Sequence, residues 1–513
     1  SGVGDVPLSW DIDTRIFNVV SVAGDTEIEA YSSKCELRKM GAAIAGDYRA
    51  IGNSLMINDN GDYFERRETA LEESSATVSD IPESADVVAA YLYWSGWYKQ
   101  GDPLEAISTD DFATSDNWTP GSSWTHESGY FKGHNGSGAY LELNHDVDLS
   151  SYASSAAGVA VGWQHWEDGS PDYSDSLQYQ YSGDGGVNWS GTYTAFSNDI
   201  GDTPVSYLSA SIPGSYLTSN FRFRFYLASW SGGDDGYCYI DNFALYPMEY
   251  LADTDCFFKI NGQQVYLDAG GDPQTGTENI TAGESQVLEN QPGQYSYACQ
   301  RDVTRLVEEY SDLGSGSNHT GNGIYTAGGV DGDTGEHWSY AGWSLIVVYS
   351  SPETAGHQLY LFDTFAWAQE DENVDFDSDG EPGGDIEGFF IPDPPEDLVT
   401  YPNAATLTCF VAEGDDWVNG DKLIFNEFTG NPLSDGFDPN DVWNSKSVGM
   451  SEDGVDIDTF YVTWASGMLE PGDTTAHLDL PTGTDNWNLI YIILSMCSET
   501  VTGGTTHYVI NGG

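Results

Sequence analysis

Basic side chains are scarce in this chain. Sixteen Lys and Arg, only seven of them Lys, stand against 82 Asp and Glu in 513 residues, a formal charge of −66. Without a basic stripe to displace counterions from phosphate, nucleic acid is excluded as a partner. An anionic membrane surface repels such a chain as well. So much like charge also opposes compaction unless salt or divalent cations screen it. The chain is therefore expected in brine, with calcium, or both.

Other absences narrow the class further. No apolar run approaches the roughly 20 residues of a membrane span, so direct membrane insertion is not expected. The longest, Ser344-Leu-Ile-Val-Val-Tyr349, reads as a buried strand. Helical periodicity is confined to Asp302–Tyr310, with Asp302 as a possible cap and Val303, Leu306 and Val307 on one face. There is no G-x-S-x-G elbow, no H-E-x-x-H and no Walker loop. With 82 acids, any pair spaced for glycoside hydrolysis is uninformative, and no enzyme activity is expected. The nine histidines are scattered, and His165, flanked by Trp163 and Trp166, reads as a strand residue. No C-x-x-C occurs among the six cysteines, which argues for disulfides over a zinc ribbon. The pair Cys256–Cys299 is the preferred bridge, tying two neighbouring strands of one domain.

What remains is Gly, Ser and aromatics arranged in short β runs. Hydrophobic residues make up 39% and aromatics 13%, enough to build cores, and the length suggests about three domains. Val87-Val-Ala-Ala-Tyr-Leu-Tyr-Trp94 and Gln358-Leu-Tyr-Leu-Phe362 are bounded by Gly, Asp, Asn and Pro clusters. In Phe221-Arg-Phe-Arg-Phe225 the alternation is clean, phenylalanines inward and Arg222 and Arg224 outward. The fold class is all-β, built from packed β-sandwich and jelly-roll domains.

Between Pro103 and Met248 stand Asp116-Asn-Trp118, Val147-Asp-Leu-Ser-Ser-Tyr152, Tyr181-Ser-Gly-Asp-Gly-Gly-Val-Asn-Trp189 and Tyr239-Ile-Asp-Asn-Phe243. This block resembles the MAM-like jelly rolls of secreted bacterial enzymes and adhesins. The flanks carry Ala89-Ala-Tyr-Leu-Tyr-Trp-Ser-Gly96, Phe258-Lys-Ile-Asn-Gly262, Asp302-Val-Thr304, Leu361-Phe-Asp363, Trp443-Asn-Ser445 and Val455-Asp-Ile-Asp458. That order is similar to a family of prokaryotic cell-surface β-sandwich proteins of mostly unassigned function. The resemblance implies an outer domain of 1–102 plus 249–395, a jelly roll inserted at 103–248, and a further sandwich over 396–513. Pro392-Asp-Pro-Pro395 would be the joint.

Calcium is the expected cofactor. Asp375, Asp377 and Asp379 at alternate positions before Gly380 can aim hard oxygens at one ion, with Asp385 or Glu387 completing the set. The jelly-roll resemblance implies a second ion between Asp111 and Asp241. The start Ser1-Gly2-Val3 and five sequons, at Asn117, Asn135, Asn188, Asn279 and Asn318, point to a secreted, surface-exposed glycoprotein. The leading expectation is a structural subunit of a filament, sheath or surface layer. Its copies would polymerise when an N-terminal strand such as Val3–Asp11 completes a neighbour's sheet. The alternative is a calcium-dependent adhesin whose jelly roll stacks glycans on exposed Trp.

Overall fold

The computed structural model describes residues 37–39, 44–58 and 66–498, leaving aside 128, 135–137, 154–157, 169–175, 198–202, 229–235, 292–293, 313–318, 364, 370–371, 377–379, 415–417 and 448–453. The chain divides into two compact units, one of Ser1–Tyr98, Ala252–Leu288 and Ser296–Gly513, the other of Lys99–Leu251 and Glu289–Tyr295.

The first unit is built on one 11-stranded sheet. Its principal strands are β1 (Ile44–Ser54), β2 (Asp86–Tyr98), β3 (Glu284–Gln291), β4 (Gln294–Asp302), β5 (Ala341–Ser350), β6 (Gly356–Phe362), β7 (Asn403–Ala412), β8 (Val455–Thr463) and β9 (Trp487–Cys497). They run in the order β3-β4-β2-β5-β1-β6-β9-β7-β8. The sheet doubles back after β1. A core of Tyr48, Tyr91, Ile346, Phe410, Ile457 and Tyr491 fills the space between its halves. The outer face of the first half packs Leu92, Trp94, Trp343 and Leu345 against Phe258 and Tyr325 of a six-stranded sheet. The outer face of the second half packs Leu407, Phe460 and Ile492 against Leu478. Leu478 lies in a three-stranded sheet of Gly384–Glu387, Thr475–Asp479 and Ile424–Phe425.

Because each half is covered on both faces, its strands cannot alternate in polarity. Leu345 and Val347 enter one core while Ile346 and Val348 enter another. This accounts for the unbroken apolar run seen in the sequence. The helix spans Thr304–Tyr310 and buries Leu306 and Val307. Asp302 lies just outside it, and its Oδ1 accepts the Thr304 N–H at 2.9 Å.

The second unit is a two-sheet sandwich. Its seven-stranded sheet has Tyr237–Glu249 at the centre, between Tyr130–Gly133 and Val159–Asp168. The five-stranded sheet has Arg222–Ala228 between Ser176–Ser182 and Tyr140–Leu143. Phe221, Phe223 and Phe225 are buried and Arg222 and Arg224 are not, as the alternation requires.

Two expectations are corrected. The segment 396–513 is not a separate sandwich, because β9 pairs with β6 and β7 within one sheet and its described part, 396–498, belongs to the first unit. Cys256 and Cys299 are free buried thiols. Cys256 lies in the six-stranded sheet and Cys299 on β4, so they are not on paired strands. The Cys299 thiol instead donates to the Asp253 carbonyl at 3.3 Å. Cys238 and Cys409 are free and buried too, Cys497 is free and half-buried, and Cys35 lies outside the described residues.

Candidate functional site

A concavity of about 1090 Å³ lies in the first unit where the doubled sheet fails to close. β1 and β8 face each other across this seam. At Gly52 the edges touch, since a Cβ there would fall 2.3 Å from Ile457 Cδ1. Farther along, Asp47–Ala50 of β1 and Thr459 and Tyr461 of β8 become opposing walls of a groove. Thr406 and Thr408 of β7 also line it, with Tyr401 and Trp464 beside them. Tyr48 O–H and Thr408 Oγ1, 2.9 Å apart, join the two halves at one side.

Among the described residues, neither strand edge has a strand partner along the groove. β1 pairs with β6 only through Ile44 and Ala45 on this side. From Gly46 onward its partner is β5, on the other side. β8 has β7 as its one strand partner among the described residues. Its outward N–H at Ile457 is taken by Ser447 Oγ at 2.7 Å. The corresponding groups of Thr459 and Tyr461 have no backbone partner among the described residues. Tyr461 is 53% exposed. Unpaired edges beside an open groove are the geometry that accepts an added strand.

His357 and Cys497 lie at one end of the groove, with Cys497 Sγ 3.6 Å from His357 Nε2. His357 Nδ1 is 2.9 Å from the Gly46 carbonyl. Desolvation pushes the Cys497 thiol up to about 11, so it stays protonated near neutrality.

The acidic residues singled out in the sequence meet different fates. Asp111 and Asp241 are brought together, and burial first, then the Asp111 charge, raise Asp241 above the usual carboxylate range. Asp241 Oδ1 accepts the Asn242 N–H at 2.7 Å. Asp375 Oδ2 accepts the Gly380 N–H at 2.9 Å, while its Oδ1 is buried without a hydrogen bond. Asp377 and Asp379 lie outside the described residues. Asp385 is turned elsewhere, its Oδ1 2.7 Å from His477 Nδ1. Burial lowers His477, but Asp385 and Asp479 more than offset it and hold the imidazole above its ordinary value. Among the described residues, no three His, Cys, Asp or Glu side chains stand together at metal-ligand spacing.

Of the sequon asparagines, Asn279 is exposed, as are Asn117 and Asn188. The Asn117 and Asn188 amides donate to Asp110 at 3.0 Å and Asp184 at 2.6 Å. Asn135 and Asn318 lie outside the described residues. Of the jelly-roll tryptophans, Trp118, Trp124 and Trp163 are core. Trp189 sits under Arg224, whose Cζ is 4.0 Å from the ring centroid. Trp166 stacks on Tyr239 with centroids 5.1 Å apart and planes 3° apart, and Tyr130 meets both edge-on. Trp230 lies outside the described residues. His165 is buried on its strand, accepts the Trp163 Nε1–H at 3.0 Å, and is pushed down to about 4 by desolvation.

The architecture defines an all-β protein of sandwich units with an open seam in one of them. No family model matches the chain, and no curated protein matches it. Among solved structures it is similar to the N-terminal CBM22-1–CBM22-2 tandem domain of Paenibacillus barcinonensis Xyn10C, with 9% identity, 77% of this chain and 98% of that chain covered, and a TM-score of 0.20. It is also similar to the botulinum neurotoxin type G receptor-binding domain, with 10% identity, 37% and 65% covered, and a TM-score of 0.18. A third likeness is to infectious bursal disease virus, Gx strain, with 11% identity, 61% and 83% covered, and a TM-score of 0.16. Likenesses this low carry no functional argument. Among the described residues no helix is long and apolar enough to cross a membrane.

Proposed function

We propose that the protein is a structural subunit of an extracellular assembly whose copies join by strand addition in the seam groove. The observation that carries this reading is the unpaired edge of β8 at Thr459 and Tyr461, lining a groove of about 1090 Å³ opposite Asp47–Ala50. A strand laid there gains main-chain hydrogen bonds on an otherwise bare edge, and Tyr401, Tyr461 and Trp464 supply apolar contact. The occupant is the N-terminal segment of another copy, residues 1–36, which includes Val3–Asp11. Repeated head to tail, that contact does not close and produces a fibre. Uncharged backbone pairing also suits a chain of −66, whose copies otherwise repel. Bound calcium between Asp111 and Asp241 would screen part of that charge.

The test is electron microscopy and light scattering of three proteins: the full chain, a chain lacking residues 1–36, and Tyr461→Pro. Proline removes the edge N–H at an exposed position, so the fold should survive while strand addition is blocked. Filaments from the full chain and monomers from both variants are expected. Filaments from Tyr461→Pro would refute the groove as the acceptor.

A second reading, a carbohydrate-binding adhesin, is favoured by the Trp166–Tyr239 stack with Tyr130. Sugar rings stack on such faces, and glycan-array binding lost in Trp166→Ala would support it.

A further inference from the structure

Two motifs far apart in chemistry, Trp443-Asn-Ser445 and Val455-Asp-Ile-Asp458, meet in the second half of the doubled sheet. Asp456 and Asp458 sit two apart on β8 and so share a face. Residues 433–447 cover that face, anchored by Leu433, Val442 and Trp443 in the core. Asp456 is fully buried. Its Oδ1 accepts the Lys446 N–H at 3.1 Å. Its Oδ2 has no hydrogen bond and abuts Gly414, where a Cβ would lie 2.3 Å away. Asp458 is 1% exposed, and its oxygens have no well-formed hydrogen bond, Ser447 being the one hydroxyl close enough to act on them. Asp435, on the covering segment, accepts the Phe437 N–H through Oδ1, while its Oδ2 is buried without a partner.

Asp435 raises both Asp456 and Asp458, and Asp456 raises Asp458. From β7, Cys409 faces Asp458, and its thiol is raised by burial first and then by that carboxylate. Arg67, itself fully buried, is the cation that acts on Asp456, but its guanidinium is also engaged by the carbonyls of His337 and Gly414. Ser447 pulls Asp458 weakly toward ionisation. Asp456 and Asp458 are buried and Asp435 is half-buried, and carboxyls withdrawn from water in this way favour the protonated form. Desolvation is the leading cause of the raised values of all three acids.

We propose that Asp435, Asp456 and Asp458 form a proton-operated latch that holds residues 433–447 shut over β8. When the carboxyls are protonated the segment stays down. When they ionise, repulsion among the three charges, two of them buried, lifts it. The same segment carries Ser447, which caps the Ile457 N–H on the free edge of β8. Lifting it therefore lengthens the bare edge from Thr459 back to Ile457. That consequence rests on the reading of β8 as an acceptor; the latch itself does not.

Amide hydrogen exchange on the full chain tests the latch whether or not copies assemble. Protection factors of Lys446 and Ile457, corrected for the intrinsic pH dependence, should fall roughly tenfold or more between about pH 5.5 and about pH 8.5. Those of Leu345–Val348, in the sheet interior, should not change. Asp458→Asn should make the Lys446 and Ile457 values less sensitive to pH, and Asp435→Asn should do the same from the covering side should the first variant fail to fold. Protection independent of pH in the native chain would overturn the proposal. So would restoration of protection at alkaline pH by millimolar calcium, because the carboxylates would then be holding a cation and not protons.

Discussion

Raising the pH from about 4 to about 7 should weaken the first unit, opposite to the usual behaviour of an acidic protein. The group responsible is Asp456, which burial first moves from 3.8 to about 7 in the folded chain. A folded value above the unfolded one means that the native state holds a proton that the unfolded state has lost throughout that interval. Its contribution is complete below about 3.8 and gone once the pH passes about 7. A rise of about 3 units at 1.36 kcal/mol each makes this about 4 kcal/mol, comparable to a third or more of a typical domain's stability. Exposed carboxylates whose values are lowered by hydrogen bonds, such as Asp148, Asp184 and Asp397, act in the other direction and lose their contribution as the pH falls. The assay therefore compares wild type with Asp456→Asn by urea unfolding, read by tryptophan fluorescence at a series of pH values. The difference in unfolding free energy between the two should slope by several kcal/mol between about pH 4 and pH 7 and level off above. A difference that is flat with pH, with both proteins fully folded at each point, would refute the assignment of a retained proton to Asp456.

Three further outcomes are expected. Gly52→Ala places a Cβ 2.1 Å from the Trp343 carbonyl and 2.3 Å from Ile457 Cδ1, so the closed end of the seam must spread. A loss of about 1–3 kcal/mol, read as a lower midpoint in denaturant, is expected. Asp385→Asn removes the carboxylate 2.7 Å from His477 Nδ1 and should bring the imidazole titration down toward its ordinary value, followed by NMR. Calcium should raise the melting temperature of the second unit, and Asp241→Asn should abolish that increment; an unchanged melting curve in chelator counts against an ion between Asp111 and Asp241.

The strands were largely legible from local pattern, because Phe221–Phe225 alternates and Ser344–Tyr349 is unbroken. Which strands share a sheet was not legible. β9 pairs with β6 across a long stretch of chain, and no periodicity in either strand announces its partner. The proline run at Pro392–Pro395 looked like a joint, but Pro392 and Pro395 line the groove of a continuous unit. An even cysteine count fits disulfides, yet burial alone accounts for Cys238, Cys256, Cys299 and Cys409. Asp456 and Asp458 alternate with Val455 and Ile457, a pattern that ordinarily sends the acids to solvent. Here both faces of β8 are covered, so one face had to bury them. The groove itself has no local signature, since its walls come from six separate stretches of sequence.

β9 gives the fold an order in time. Among the described strands of the sheet it comes last in the chain, yet it stands between β6 and β7, with ten of its 11 residues buried. A chain cut short before Trp487 would leave β6 and β7 with bare inner edges and an unfilled core, a sticky and incomplete body. The groove is unfinished too at that stage, because Ser495, Cys497 and Ser498 form part of its wall. On the proposed reading, the groove can receive a neighbour only once β9 is in place.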